Sequence, residues 1–398
     1  MRLGAAATVI VRSDVRAVRV AVHADFPYRA FGGEVYGEDA FTRFLVELGS
    51  QVERLVVLGR LDPSEGQPRY PLGKGVGFID LPYYESLWQV RRSFRAMLAA
   101  LARFWRALDE VEVVWLLGPH PVQVGFACLA WLRGRRVALG VRQEFPRYVA
   151  TRHPGRTDLR VAAVVLEGIW RAIARWVPVV VVGPALAHRY RRARHLLEIT
   201  ASLVTESDVV APTVSRGRSY GGPLRILSVG RIAMEKNPVL LADVLAAVRE
   251  QDDRWLLTIV GEGPLAGEVA GRLRQLGVDD AAELLGYVPF GPELMALYRK
   301  SHALLHVSWT EGLPQVLTEA FAAGLPAVAT DVGGIREAVG DAALLVPPGD
   351  ERAAAGALLA IADDPDLRHR LIAAGHRYAS TRTVEAEARK VADFLGRK

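Results

Sequence analysis

Short apolar runs recur along this chain, many closing on a glycine and each followed by a stretch with helical spacing. In the first half they are VRVAVHADF (18–26), RLVVLG (54–59), VEVVWLLG (111–118), RVALGV (136–141) and VPVVVVG (177–183). The polar, glycine-rich stretch APTVSRGRSYGGP (211–223) interrupts the pattern. It then restarts with LRILSVG (224–230), WLLTIVG (255–261), ELLGYV (283–288), HALLHVS (302–308), PAVATDVG (326–333) and ALLVPPGD (343–350). Apolar runs this short are strands buried on both faces, and strands alternating with helices make βαβ units in a mostly parallel sheet. A chain of 398 residues is too long for one ordinary core. The sequence therefore predicts an α/β protein of two doubly wound, Rossmann-like parallel-sheet domains facing a central cleft. The predicted limits are 1–210 for the first domain, 211–223 for a linker and 224–375 for the second. A terminal helix over 376–398 packs back toward the first domain. Ligands of such sheets bind where strand carboxyl ends meet.

Charge divides the halves. Up to Gly221 there are 31 Lys and Arg against 20 Asp and Glu, and from Gly222 onward 19 against 24. A basic first half suits an anionic partner, or is simply a differently solvated surface. The single cysteine, Cys128, excludes an internal disulfide framework and suits a reducing cytoplasm. No apolar run reaches membrane-spanning length; the best, 161–187, is interrupted by Glu167, Arg171 and Arg175. The opening LGAAATVIV reads as a tail before the first strand.

WTEGLPQVLTEAFAAGLP (309–326) holds two glutamates, Glu311 and Glu319, across a predicted helix start. Pro314 fits the first helical position and Gly324 the helix end. The amides from Gly312 to Leu317 would lack helical partners and offer a seat for a phosphate, with the two acids flanking it and accepting hydrogen bonds from sugar hydroxyls. The same spacing also fits one acid favoured by the helix dipole and one surface acid. VGRIAMEKNP (229–238) adds Arg231 and Lys236, a guanidinium fork and a compact ammonium that together suit a diphosphate. Lysine is rare here, with five (74, 236, 300, 390 and 398) against 45 arginines. GEGP (261–264) and DVGGIREAV (331–339) are glycine turns after strands.

EGLPQVLTEAFAAGLPAVATDVGG, with glutamates separated by seven residues, and GRIAMEKNP resemble the retaining glycosyltransferases of the GT-B fold, family four (glycosyl transferases group 1). The likeness covers the second half and is looser over the first, where FGGEVY (31–36) is its main support. The resemblance implies that Glu319 binds the donor ribose and Glu311 the transferred sugar. Arg231 and Lys236 would neutralise the diphosphate, a glycine loop at Gly32–Gly33 would approach it, and the segment ending at Val288 would pack on the base. Gly312, Leu313 and Leu317 complete the implied donor site. Arg231, Lys236 and Glu311 are the implied catalytic residues, acting on a UDP-, GDP- or ADP-sugar with no metal and no other cofactor. The acceptor is unknown, and an anionic or lipid-linked one fits the basic half. Many relatives carry a pocket histidine after the strand corresponding to RVALGV, where this chain has Arg142, Gln143 and Glu144. His120 and His23 stand near the expected cleft and read as ordinary loop and strand-end residues. Asp364-Pro365-Asp366 imitates a D-x-D metal signature but precedes DLRHRLIAAG, where aspartate caps a helix.

ESLWQVRRSFRAMLAALARFWRALDEV (85–111) reads as a helix. One face holds Leu87, Val90, Phe94, Met97, Leu101, Trp105 and Leu108, and another Trp88, Arg92, Arg95, Arg103 and Arg106. Such a helix either packs on the core with a solvated arginine face or lies on anionic lipid at the inner face of a membrane. Rival functions on the same fold are a nucleotide-sugar epimerase, a phosphorylase or a catalytically silent binding protein. A nicotinamide dehydrogenase lacks its G-x-G-x-x-G, and no nucleic-acid reading module is present.

Overall fold

A computed structural model describes residues 18–64, 69–84, 90–152, 155–311 and 314–397. The chain divides into two compact units. The first is Met1–Val180 with Arg192–Leu197 and Ala388–Lys398, and the second is Val181–Arg191 with Glu198–Glu387.

The first sheet comprises β1 (Arg19–Phe31), β2 (Glu34–Gly37), β3 (Arg54–Leu61), β4 (Tyr70–Pro71), β5 (Val76–Leu81), β6 (Val113–Gly118), β7 (Arg136–Val141), β8 (Pro178–Val182) and β9 (His195–Ile199). Its parallel part runs β5-β3-β1-β6-β7, so the strand order reverses between β1 and β6. β6 is buried along nearly its whole length, as its unbroken apolar run requires. The glycines of FGGEVY, expected as a loop, turn a hairpin. Phe31 pairs with Glu34 across Gly32 (φ 60°) and Gly33 (φ 81°), and the helix begins only at Phe41. Positive φ at both central residues is the turn whose twist matches paired strands, and glycine adopts it without steric cost.

Helix Val90–Ala107 turns a different face to the core from the predicted one. Ala96, Ala100, Phe104 and Ala107 are buried, while Met97, Leu101 and Trp105 of the predicted face sit half-buried at its flank and only Leu108, in the turn that follows, is buried as expected. Small alanines let the helix approach its neighbours closely, and Leu101 packs on Gly125 of the next helix, Pro121–Leu132. Arg103 is paired with Asp80, and Trp105 lies under the Arg133 guanidinium at 3.9 Å. Leu87, Trp88 and the side chains of Val90, Arg92 and Phe94 lie outside the described residues. No helix among the described residues is long and apolar enough to cross a membrane.

The second sheet is wholly parallel: β10 (Leu224–Val229), β11 (Trp255–Val260), β12 (Ala282–Gly286), β13 (Ala303–His306), β14 (Ala327–Thr330) and β15 (Ala343–Val346), in the order β12-β11-β10-β13-β14-β15. Successive residues of β10 face opposite layers. Ile226 joins Trp255, Leu245 and Leu358 on one side, while Leu227 joins Tyr298, Leu304 and Phe321 on the other. Segment 211–223, read from sequence as a linker, holds a short helix at Pro212–Arg216 and lies within the second unit. Tyr220 donates to the His302 carbonyl at 2.9 Å, and Arg218 to that of Gly324 at 3.2 Å. The chain ends in two helices, Pro365–Ser380 and Val384–Gly396, the terminal one beginning later than the 376 expected from sequence. Asp364 caps the first of them, accepting from the Leu367 amide at 2.9 Å, as read from sequence.

Candidate functional site

The strand order of the second sheet reverses between β10 and β13, and the chemistry predicted from sequence gathers around the carboxyl ends of those strands. β10 leaves through Gly230, Arg231 and Ile232, which the GEGP turn holds from the side. A Cβ at Gly261 would stand 1.8 Å from the Gly230 carbonyl oxygen, and one at Gly263 2.2 Å from that of Ile232. The Ile232 amide donates to the Glu262 carbonyl at 2.9 Å. Only glycine permits this approach, so both glycines of the motif are needed to place Arg231. Beyond it, a 3-10 turn over Met234–Lys236 ends at Asn237, a non-glycine residue with φ 49°. The Trp309 amide donates to the Glu235 carbonyl at 2.9 Å and ties this loop to the one leaving β13.

β13 ends on His306, and the loop beyond it carries Ser308 and Glu311. Arg231, Lys236, His306 and Ser308 line one cavity, with Gly230 at its edge. Glu311 reaches the group through its partners: Lys236 forms an ion pair with Oε1, and His306 donates to the same oxygen through Nε2 at 2.9 Å. Ser308 Oγ lies 3.1 Å from that nitrogen. Burial works to raise the Glu311 carboxyl, but the His306 hydrogen bond and the Lys236 charge outweigh it and hold the group at about 2. Gly333 buttresses the loop; its φ is 59° and a Cβ there would stand 2.1 Å from the Glu311 carbonyl oxygen. Arg231 is three-quarters exposed and meets Glu235 at 2.7 Å. An exposed pair of that kind contributes little and is easily exchanged for another anion.

Glu319 has a different setting. It sits inside helix Gln315–Ala322, is 5% exposed, and accepts from the Tyr298 hydroxyl at 2.7 Å. Burial pushes its carboxyl up to about 7, against the pull of the Tyr298 bond. The helix starts one residue later than predicted, with Pro314 as its cap. It ends as predicted: the Gly324 and Leu325 amides donate back to Phe321 and Ala320, with Gly324 at φ 60°. The Leu317 amide, expected to be free for an anion, donates to the Pro314 carbonyl at 3.2 Å, and its side chain is buried. Val288 packs against the layer that holds Tyr298 and Leu317. Gly312 and Leu313 lie outside the described residues, and Gly33 sits at the hairpin tip of the first unit. Sequence reasoning missed His306, Ser308 and Tyr298. His306 had a usable signal, as the last residue of a strand whose neighbour leads to Arg231 and Lys236.

The first sheet places a second polar group at its own reversal point. Arg60 Nε lies 2.8 Å from Asp25, the Tyr84 hydroxyl donates to Asp25 at 3.0 Å, and His120 Nε2 is 3.4 Å from the second carboxylate oxygen. The Val122 amide donates to His120 Nδ1 at 3.3 Å, which leaves the ring proton on Nε2, facing Asp25 and Tyr84. His23 pairs with Gln123 at 2.8 Å, and burial drives its imidazole down to about 3. Burial also lowers His120. For Asp25 burial acts upward, but His120 and Arg60 prevail and the carboxyl lies below its usual range. Both histidines set aside in the sequence are therefore buried in one network. Arg142, one of the three residues in the region where the resemblance implies a pocket histidine, is held by Asp39 at 3.1 Å and lies over the Phe41 ring at 4.5 Å.

Residues 214–378 match the model of the family described as glycosyl transferases group 1. The chain is 28% identical to the phosphatidyl-myo-inositol mannosyltransferase of Mycobacterium leprae, over 82% of this chain and 83% of that protein. It is 35% identical to the D-inositol 3-phosphate glycosyltransferase of Jonesia denitrificans over 41% and 40%, and 28% identical to an amylovoran biosynthesis glycosyltransferase of Erwinia amylovora over 44% and 45%. Several of the curated relatives are thus matched over less than half their length. An Anabaena protein solved with UDP superposes with a TM-score of 0.66 at 17% identity, covering 95% of this chain and 99% of that one. WaaG, a glycosyltransferase involved in lipopolysaccharide biosynthesis, gives 0.60 at 17% over 94% and 99%. The protein has the GT-B fold, built from two Rossmann-like α/β units. Its second unit belongs to the glycosyl transferases group 1, consistent with family four.

Proposed function

We propose that this protein is a retaining, metal-independent glycosyltransferase that moves a hexose from a nucleotide-diphosphate sugar to an acceptor. The observation that carries the reading is the cavity at the β10–β13 reversal. Two cations, Arg231 and Lys236, share it with His306 and Ser308, beside a carboxylate kept ionised. In the proposed reaction the bond from the anomeric carbon to the diphosphate oxygen breaks. The acceptor oxygen bonds to the same face of that carbon, and its proton passes to the departing phosphate. Charge builds on the leaving group, so fixed cations aimed there stabilise the transition state more than the ground state. Lys236 would exchange Glu311 for the diphosphate, freeing the Glu311 carboxylate to accept hydrogen bonds from the sugar. The Anabaena neighbour was also solved with UDP-glucose, which supports a nucleotide-sugar donor. The basic first unit is assigned the acceptor.

A thermal-shift panel of UDP-, GDP- and ADP-sugars tests the donor. A ligand at a hundredfold its dissociation constant stabilises by about 2.7 kcal/mol. No shift with any of the three overturns the reading. Proton NMR of the product's anomeric centre then tests retention. Donor turnover without acceptor would point to an epimerase instead.

A further inference from the structure

We infer that the first unit carries a second ligand site, for an amphiphilic anion, at the end of its sheet opposite the Asp25–His120 network. Val113, Arg136, Pro178 and His195 open strands β6, β7, β8 and β9, and all four line a cavity of about 400 Å³. That volume lies in the range of small-molecule sites. Its floor is apolar, formed by Val137, Val177, Phe394 and Leu395, all buried. Two indoles stand in its wall, Trp131 at 44% and Trp176 at 75% exposure. Large aromatics left this open are unusual on a surface with no partner to cover them.

Four arginines complete the lining: Arg135, Arg136, Arg194 and Arg397. The lining contains no aspartate or glutamate, and among the described residues none of the four is paired with a carboxylate. Arg136 donates to the Arg397 carbonyl, and the buried Nε of Arg135 has no acceptor at all. Elsewhere in the same unit arginines are matched with acids, as in Arg133–Asp109, Arg54–Glu110 and Arg142–Asp39. A buried donor without an acceptor is costly, and guanidinium groups bind phosphate and carboxylate through paired hydrogen bonds. Unmatched cations over an apolar floor, with indoles to cover a chain or ring, select a phosphate or carboxylate head on an apolar body. A free metabolite and a lipid monomer share that chemistry.

Calorimetric titration with octyl phosphate, inorganic phosphate and octanol tests the site, alongside flotation with phosphatidic acid vesicles. Octyl phosphate should bind at least tenfold tighter than either fragment. The double variant Arg194→Glu/Arg397→Glu should lose at least tenfold of that affinity, and Trp176→Ala a smaller part. Arg194 and Arg397 are exposed, so the double variant should keep the wild-type melting temperature, which separates lost binding from lost folding. No octyl phosphate binding, equal binding in the double variant, or capture by vesicles without binding of the monomer would each overturn the inference.

Discussion

The two sheets place polar residues at equivalent positions, where the strand order reverses, yet the two groups are built differently. At β1–β6, every charge answers another inside the protein: Asp25 takes Arg60, Tyr84 and His120, and His23 is held neutral by Gln123 and burial. At β10–β13, Arg231 reaches into solvent, and Lys236 shares one carboxylate oxygen with His306. A closed network maintains structure, since each group's loss strands a partner. An open one keeps its cations available, since their present partners can be exchanged for a ligand. One topology therefore supports both uses, and solvent access of the cations separates them.

The sharpest way to break this contrast is Lys236→Ala. Turnover should fall by about 10²–10³-fold, in line with loss of one leaving-group contact, while the fold is kept with some loss of stability, since His306 still pairs with Glu311. Near-normal rates in a coupled product assay would put Lys236 with the structural group instead. Asp25→Asn should do the reverse and cost about 2–3 kcal/mol in urea unfolding. That is somewhat less than for a fully buried pair, because Asp25 keeps partial exposure. A stability loss under about 0.5 kcal/mol would show that the first network is not closed.

Glu319→Gln sharpens the comparison through pH. Folding raises this carboxyl from 4.5 to about 7, so its stabilising contribution is complete below 4.5 and is lost as pH rises through 7. Unfolding free energies at pH 5 and pH 8 should therefore differ less in the variant than in the wild type, by roughly 1–3 kcal/mol. Parallel profiles would remove the assignment. Glu311 has the opposite sign: its contribution is present above 4.5 and fades as pH falls toward 2. The smallest effect is expected for Arg231→Ala, which should leave stability within about 0.5 kcal/mol while weakening nucleotide-sugar binding. Unchanged binding by calorimetry would mean that the exposed guanidinium is not part of the donor site.

Features set by local geometry were legible in the sequence. Gly324 ends its helix because a left-handed position follows, Asp364 caps because its side chain reaches the next turn, and apolar runs such as β6, β13 and β14 become strands buried on both faces, whereas the edge strand β12 does not. Less legible was the exact face of a helix. Ala96 and Ala100 face the core where larger neighbours were expected, since close packing there favours small side chains over hydrophobic ones. The Gly32–Gly33 hairpin was also misread, because two glycines permit a loop as readily as a turn.

The alternation of strands and helices in the second unit, the glycine turns GEGP and DVGG, and the presence of Arg231, Lys236 and Glu311 near strand ends followed from sequence alone, since each depends on neighbours a few residues away. Folding decided the rest. Asp25, Arg60, Tyr84 and His120 come from four separate segments, and only the parallel sheet brings their side chains to one end. Likewise Glu311 and Glu319, eight residues apart, hold their protons at opposite ends of the carboxylate range. Burial and partner charge, which depend on the packed structure, determine that difference.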